Sequence, residues 1–171
     1  WQSAWQHNWP RWMWSFGHMQ MGKGKTSARI KPGYVNAPAD VVEPNMSVED
    51  WADFQQGLTL FRAHKFWESH EAWELIWRRH LEPSRIFFQG LIQLAAAYHQ
   101  VQRGIYHGAV KHFNNALLKL KQFPAEFLTV DVGRLVQAIE KSCDEVEHLG
   151  QERLLEFDEA LFPIISFASR S

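Results

Sequence analysis

Four ionisable side chains, those of Glu68, His70, Glu71 and Glu74, lie close together near the middle of the chain. In a helix, His70 and Glu74 would be one turn apart, which brings an imidazole within reach of a carboxylate. Histidine and glutamate at this spacing can share a metal ion, and a carboxylate beside tryptophan rings can act as a general base. This segment therefore predicts an ionisable cluster that is suited to either chemistry.

Metal binding would use His70, Glu71 and Glu74 as ligands of a zinc, iron or manganese ion. Further ligands could come from three later histidines, namely His99, His107 and His112. The pattern departs from H-E-x-x-H because residue 74 is Glu, and the E-x-x-H of di-iron bundles runs in the opposite order. A divalent metal is therefore a candidate cofactor, and the sequence requires no cofactor.

A purely structural role is the alternative for the same side chains. Glu71 and Glu74 would then pair with arginines and accept hydrogen bonds from Gln93, which would fix the second helix against the third. The available arginines are Arg78, Arg79 and Arg85. Buried ion pairs of this kind can set the register of a helical bundle.

The hydrophobic pattern predicts five helices and no strand from residue 47 onwards. Ser47 to Asp50 has the form of a helix-capping motif. The later helices are predicted at about 65–80, 84–103, 106–122 and 131–150. We expect an all-α fold, a compact bundle of about five helices around a buried central helix.

The third helix is the predicted axis because residues 86–98 are apolar on every side, apart from Gln89 and Gln93. Gly90 and the alanines at 95–97 would let neighbouring helices approach closely. A buried amide without a partner costs about 1–3 kcal/mol. Gln93 and Gln89 are therefore expected to point at polar groups on a facing helix.

Charge divides the chain into two parts. Residues 1–39 carry five basic and no acidic side chains, whereas residues 40–171 carry 13 basic and 19 acidic ones. We expect a basic, Trp-rich, irregular extension over 1–45 and a helical domain over 46–165. The extension would bind a protein assembly or a membrane surface. The acidic body disfavours nucleic acid, and an apolar helix face would suit a homo-oligomer.

Cysteine content and hydropathy bear on the compartment. Cys143 is the only cysteine of the chain, and a single thiol is typical of a reducing compartment. It is expected on the apolar face of the fifth helix, in the core of the domain. No run of 18 apolar residues exists, so no transmembrane helix is predicted.

Three blocks of this sequence resemble a known family, the domain of unknown function 309 of bacteria, archaea and plastids. The family pattern is F-x-E-A-H-E-x-x-E-x-x-W, then R-x-x-x-x-G-L-I-Q-L-A, then R-G-N-x-x-G-A, and the chain follows it over about 54–120. Ser69 replaces the usual Ala, and Ile105 follows Arg-Gly in place of Asn. The matching polar positions are Glu68, His70, Glu71, Glu74, Arg78, Arg85 and Gln93.

The resemblance implies a compact multihelical domain in which the glutamate–histidine block faces the G-L-I-Q helix. It implies no reaction. The sequence thus predicts a non-catalytic accessory or scaffold protein in the cytoplasm or plastid stroma. The alternative is an enzyme, metal-dependent or not, that uses Glu68, His70, Glu71 and Glu74.

Overall fold

A computed structural model describes residues 41–167 of the protein. These residues form five α-helices, α1 (Val48–Arg62), α2 (Phe66–Arg79), α3 (Ile86–Gln102), α4 (Tyr106–Leu120) and α5 (Val132–Arg153). Short 3₁₀ turns lie at Pro83–Arg85, Leu154–Glu156 and Glu159–Leu161. The predicted all-α class is confirmed, while the predicted extension lies almost entirely outside the described residues.

Helix α1 begins with the predicted capping motif. The backbone N–H of Asp50 donates to Ser47 Oγ over 3.1 Å, and the backbone N–H of Ser47 donates to Asp50 Oδ2 over 2.9 Å. These two bonds satisfy backbone donors that a helix start otherwise leaves unpaired. Phe54, Leu58 and Phe61 then form the buried stripe of α1.

Helix α3 is the axis of the bundle, as its composition predicts. Every residue of Ile86–Tyr98 is buried, and α3 packs against both α2 and α4. A Cβ atom on Gly90 would lie 2.7 Å from Leu120 Cδ2, so glycine is required for the close approach of α4. At the far end of α3, the Tyr98 hydroxyl hydrogen-bonds Ser142 of α5 over 2.8 Å, which holds α5 to the axis.

Helices α1 and α2 also meet at a glycine. The indole of Trp73 lies over Gly57, where a Cβ atom would come within 2.6 Å of Trp73 Cδ1. Ser69 Oγ donates to the Gly57 carbonyl over 2.9 Å at the same crossing. The close packing positions α2, and with it the predicted ionisable cluster, against the core.

The connection from α4 to α5 differs from the sequence prediction. Strands β1 (Glu126–Phe127) and β2 (Val130–Asp131) pair antiparallel, with Phe127 opposite Val130. Two-residue strands are too short to produce an alternating pattern, so the sequence predicted none. Asp131 caps α5 as expected, by accepting from the Arg134 N–H over 2.8 Å.

Two further features of α5 bear on the sequence predictions. Gly150 adopts φ 63° and ψ −170°, which interrupts α5 where the helix was predicted to end. Cys143 is only half-buried, so its predicted place in the core is wrong. In the part of the chain described here, no helix is long and apolar enough to cross a membrane.

Candidate functional site

The structure divides the four predicted site residues of α2 between the interior and the surface. His70 and Glu74 are buried, with exposures of 1% and 7%, whereas Glu68 and Glu71 are exposed. The division follows from the packing of α2, because its inner face also carries Ser69 and Trp73, which contact α1. Only one imidazole and one carboxylate of the predicted cluster therefore enter the bundle.

Glu74 lies between a buried imidazole and a surface guanidinium. Its Oε2 is 4.0 Å from His70 Nδ1, and its Oε1 accepts from Arg78 Nη2 over 2.6 Å. The Arg78 side chain is 59% exposed, so Arg78 covers the carboxylate from the solvent side. The pairing of Glu74 with Arg78 is the one predicted for a structural role.

Trp67 forms an aromatic wall beside His70. The two rings are stacked, with centroids 5.2 Å apart and planes inclined by 14°. His99 of α3 contacts the same indole at 5.5 Å. Trp67 itself is half-buried, so it lies at the edge of the site between the interior and solvent.

Gln93 of α3 meets a polar group on a facing helix, as predicted, but that helix is α4. Its Oε1 lies 2.7 Å from His112 Nδ1. An amide oxygen can only accept, so His112 donates through Nδ1, and the Nε2 of the neutral ring is then an acceptor. Gln89, one turn earlier in α3, is buried as well.

Lys119 is a buried basic residue of this region that sequence reasoning missed. It is 2% exposed, and burial lowers the pKa of its ammonium group to about 8. The signal was its spacing of seven residues from His112, which places both side chains on the same face of α4. A Cβ atom on Gly90 of α3 would lie 3.4 Å from Lys119 Cβ, which locates Lys119 at the α3–α4 contact.

Burial lowers the pKa of three histidines in this region. Burial, reinforced by His112, His99 and Arg78, lowers the pKa of His70 to about 4. Burial, with Lys111 and Lys119, lowers the pKa of His112 to about 4. The pKa of His99 is lowered by burial and by Arg103, against the opposing effect of Glu68. At neutral pH the imidazoles of His70 and His112 are thus uncharged.

Arg79 and Arg85 belong to a second network, at the other end of α2. Arg79 donates to Asp50 over 2.7 Å and to Asp53 over 2.5 Å. His80 lies between Asp50 Oδ2, at 3.1 Å, and Glu82 Oε1, at 2.5 Å. Arg85 donates to the His80 carbonyl and packs over Trp77. These arginines therefore tie α2 to its flanking segments and do not reach the carboxylates they were predicted to pair with.

Asp50 is the centre of this second network. Burial raises its pKa, but hydrogen bonds from the Ser47 backbone, Arg79 and His80 outweigh burial and lower the pKa to about 2. Sequence analysis identified Asp50 as part of a helix cap only. Its partners lie about 30 residues further along the chain, and no local pattern reveals such contacts.

The predicted metal ligands are not gathered into one group. Within residues 41–167, no set of three or more His, Cys, Asp or Glu side chains has an arrangement that could hold a metal ion. Glu71 and His107 are exposed, whereas His70, Glu74 and His112 are buried. Metal binding therefore stays a prediction from the sequence.

Fold and site together define an all-helical domain whose helices α2, α3 and α4 bury polar side chains, among them His70, Glu74, Gln93, His112 and Lys119. Residues 54–112, which are 59 of the 171 residues, match the model of a family described as Domain of unknown function (DUF309). This match confirms the resemblance, and it ends at His112, eight residues before the expected limit at 120. No curated protein and no solved structure matches the chain. The description of the family assigns it no function.

Proposed function

We propose that the protein is a non-catalytic helical accessory protein that binds a larger protein assembly through its basic, Trp-rich extension. The observation that carries the proposal is the division of the α2 carboxylates. Glu68 and Glu71 face solvent, while Glu74 is buried and held by Arg78 over 2.6 Å. This arrangement favours a role for Glu74 in fixing α2. Acid–base chemistry that uses two carboxylates together would require them to face the same site, and these carboxylates point in different directions.

The charge distribution supports the binding role. Residues 1–39 carry five basic side chains and no acid, and residues 40–171 have a net charge of 13 − 19 = −6. Tryptophan side chains are enriched at protein interfaces, and five tryptophans lie within the first 14 residues of the extension. These are Trp1, Trp5, Trp9, Trp12 and Trp14.

The experiment compares the full chain with a variant in which these five tryptophans are replaced by alanine. Both carry the same purification tag and are expressed in the source cells, and their native complexes are separated by size after mild cross-linking. We expect the full chain to migrate with a complex much larger than 20 kDa and the variant to be lost from it. Equal migration of both chains would refute the proposal.

Two further measurements distinguish a protein assembly from other binding partners. Sedimentation with anionic vesicles that depends on the five tryptophans would indicate a membrane surface in place of a protein assembly. A purified full chain that forms the large species alone would indicate a homo-oligomer. A matched control, Trp51→Ala, changes a half-buried tryptophan of α1 and is expected to leave the complexes unchanged.

An enzyme that uses the α2 cluster is the second candidate. The observation that favours it is the proximity of His70, with its lowered pKa, to Glu74, because perturbed groups cluster at catalytic sites. Elemental analysis of the purified chain tests the metal-dependent form. Stoichiometric zinc, iron or manganese that is lost in His70→Gln and retained in His107→Gln would support it.

A further inference from the structure

His80 lies between two carboxylates that belong to different parts of the fold. Its Nε2 is 3.1 Å from Asp50 Oδ2 at the start of α1, and its Nδ1 is 2.5 Å from Glu82 Oε1 in the connection between α2 and α3. The His80 side chain is 9% exposed, so water does not readily replace either carboxylate. Both ring nitrogens are therefore engaged by oxygen atoms of the protein.

The two contacts together require two protons on the ring. An ionised carboxylate can only accept a hydrogen bond, and a neutral imidazole carries a single N–H. Burial raises the pKa of both carboxyls, but hydrogen bonds outweigh burial, hold the pKa of Asp50 at about 2 and lower the pKa of Glu82. Both groups are thus ionised at neutral pH. The form of His80 that satisfies both distances is the imidazolium, in which Nδ1 and Nε2 each donate.

The backbone of His80 is fixed, so the ring cannot move away with its segment of chain. Its N–H donates to the Ile76 carbonyl over 3.2 Å, and its own carbonyl accepts from Arg85 Nη1 over 3.1 Å. Phe88 of α3 packs against the ring, with centroids 5.9 Å apart. A ring that loses one proton therefore stays in place and turns a lone pair towards one of the two carboxylates.

The two carboxylates differ in how firmly other groups hold them. Asp50 also accepts from the Ser47 backbone and from Arg79, and its side chain is 5% exposed. The Glu82 side chain is 40% exposed and also accepts from the N–H of the adjacent Leu81. A neutral ring would therefore keep its bond to Asp50 and release Glu82 to solvent.

The charged side chains around the ring strengthen this dependence on its charge. Among the described residues, they are Glu49, Asp50, Asp53 and Glu82 against Arg79 and Arg85. A second proton on the ring reduces the excess of negative charge, and its loss restores that excess. Glu82 then faces a lone pair and neighbouring carboxylates, which repel it.

From these contacts we infer that His80 is a pH-sensitive clamp. It joins the start of α1 to the connection between α2 and α3 while the ring carries two protons, and it releases Glu82 when the ring loses one. Histidine is the side chain whose charge ordinarily changes between pH 5 and pH 8. The inference goes beyond an accessory role, since it gives the helical body a response to pH that does not involve the extension. Opening of the clamp would loosen residues 81–85, which lead into the axial helix α3.

NMR of the full chain tests the clamp through long-range ¹⁵N–¹H correlations of the histidine rings at pH 6 and pH 9. We expect both His80 nitrogens to be protonated at pH 6 and Nδ1 to have lost its proton at pH 9, with the backbone amide signals of Leu81 and Glu82 changing in parallel. His107 and His148 are exposed, and their titration should not move these amide signals. The inference is overturned if His80 carries a single ring proton at pH 6, or if the two amide signals do not follow the His80 ring.

A pair of variants gives an independent measurement by thermal unfolding. Glu82→Gln should lower Tm by about 1–4 °C at pH 6, where the clamp is closed, and by less than half as much at pH 9. Glu140→Gln is the matched control, because the Glu140 side chain is similarly exposed and pairs with Lys121 over 2.6 Å. The usual pKa of a lysine, about 10.4, lies above this range, so the control should lose the same amount at both pH values. An equal loss in Glu82→Gln at pH 6 and pH 9, or no loss at pH 6, would overturn the inference.

Discussion

The Nδ1–H of His112 donates to Gln93 Oε1 over 2.7 Å, and both side chains are buried. This bond joins the axial helix α3 to α4. It satisfies the Gln93 oxygen and sets the tautomer of the imidazole. One bond therefore determines which nitrogen of the neutral His112 ring carries the proton.

Removing one partner of this hydrogen bond should destabilise the protein more than removing both partners. Gln93→Met leaves the buried His112 N–H without its acceptor, so the free energy of unfolding should fall by about 1–3 kcal/mol. Gln93→Met combined with His112→Leu should cost less than the sum of the two single changes. Urea denaturation of the three variants measures this coupling. Gln137→Met, exposed on α5, is the control and should change little.

Stability should decrease as the solution becomes acidic. Burial holds the pKa values of His70 and His112 at about 4, against 6.5 for an exposed histidine. Both are neutral in the folded protein, so the unfolded chain binds more protons between pH 6.5 and pH 4. The loss begins as the pH falls below 6.5 and should reach up to about 2 kcal/mol per histidine at pH 5.

Urea denaturation at pH 7.5 and pH 5 checks the acid dependence. His70→Gln should show a smaller difference between the two pH values than the unaltered chain, since one titrating group is gone. His107→Gln removes an exposed histidine and should retain the full difference. A full difference in His70→Gln as well would contradict the assignment.

The sequence predicted the structural features that are decided by residues close together in the chain. The Ser47 cap is decided within four residues, and α3 is apolar on all sides, so its burial follows in any packing. The faces of α2 could not be predicted in the same way. Glu71 and Glu74 both border the tryptophans of α2, and only the packing of Trp73 onto Gly57 turns Glu74 inward and leaves Glu71 exposed.

The sequence also could not predict which side chains on different helices form hydrogen bonds with each other. Gln93 was expected to face a polar group, but which helix supplies that group depends on the arrangement in space, and His112 of α4 proved to be the partner. Lys119 was missed because a lysine is rarely fully buried. Asp50 was recognised as a cap, while its bonds to Arg79 and His80 depend on the crossing of α1 and α2.

Two glycine substitutions should have opposite effects. Gly57→Ala would place a methyl group against the Trp73 indole, so it should lower the free energy of unfolding by about 1–3 kcal/mol through overpacking. In Gly133→Ala the nearest atom is Asp131 Oδ1 at 3.7 Å, and the change should raise stability by about 0.5 kcal/mol. Thermal unfolding measures both. A stabilised Gly57→Ala would show that α1 and α2 are not held this closely.

Charge at Asp50 should matter more than charge at Asp53. Asp50 accepts hydrogen bonds from the Ser47 backbone, Arg79 and His80, and its side chain is 5% exposed. Asp53 pairs with Arg79, and its side chain is 18% exposed. Asn at position 50 could still cap α1 but would remove the charge that Arg79 and His80 share. Asp50→Asn should therefore lower the free energy of unfolding by about 1–2 kcal/mol, a range that is reduced because Arg79 is partly exposed. Asp53→Asn should lower it by about 0.5 kcal/mol.

The same carboxylate predicts a second acid transition, distinct from that of the histidines. Hydrogen bonds hold the pKa of Asp50 at about 2, below its usual 3.8. The stability that this confers is present above pH 3.8 and is lost as the pH falls towards 2. Asp50→Asn should remove this low-pH component while leaving the loss between pH 6.5 and pH 4 intact, because His70 and His112 are unchanged. Denaturation profiles of Asp50→Asn and Asp53→Asn from pH 7.5 to pH 2.5 separate the two, and identical profiles would show that Asp50 does not carry the low-pH component.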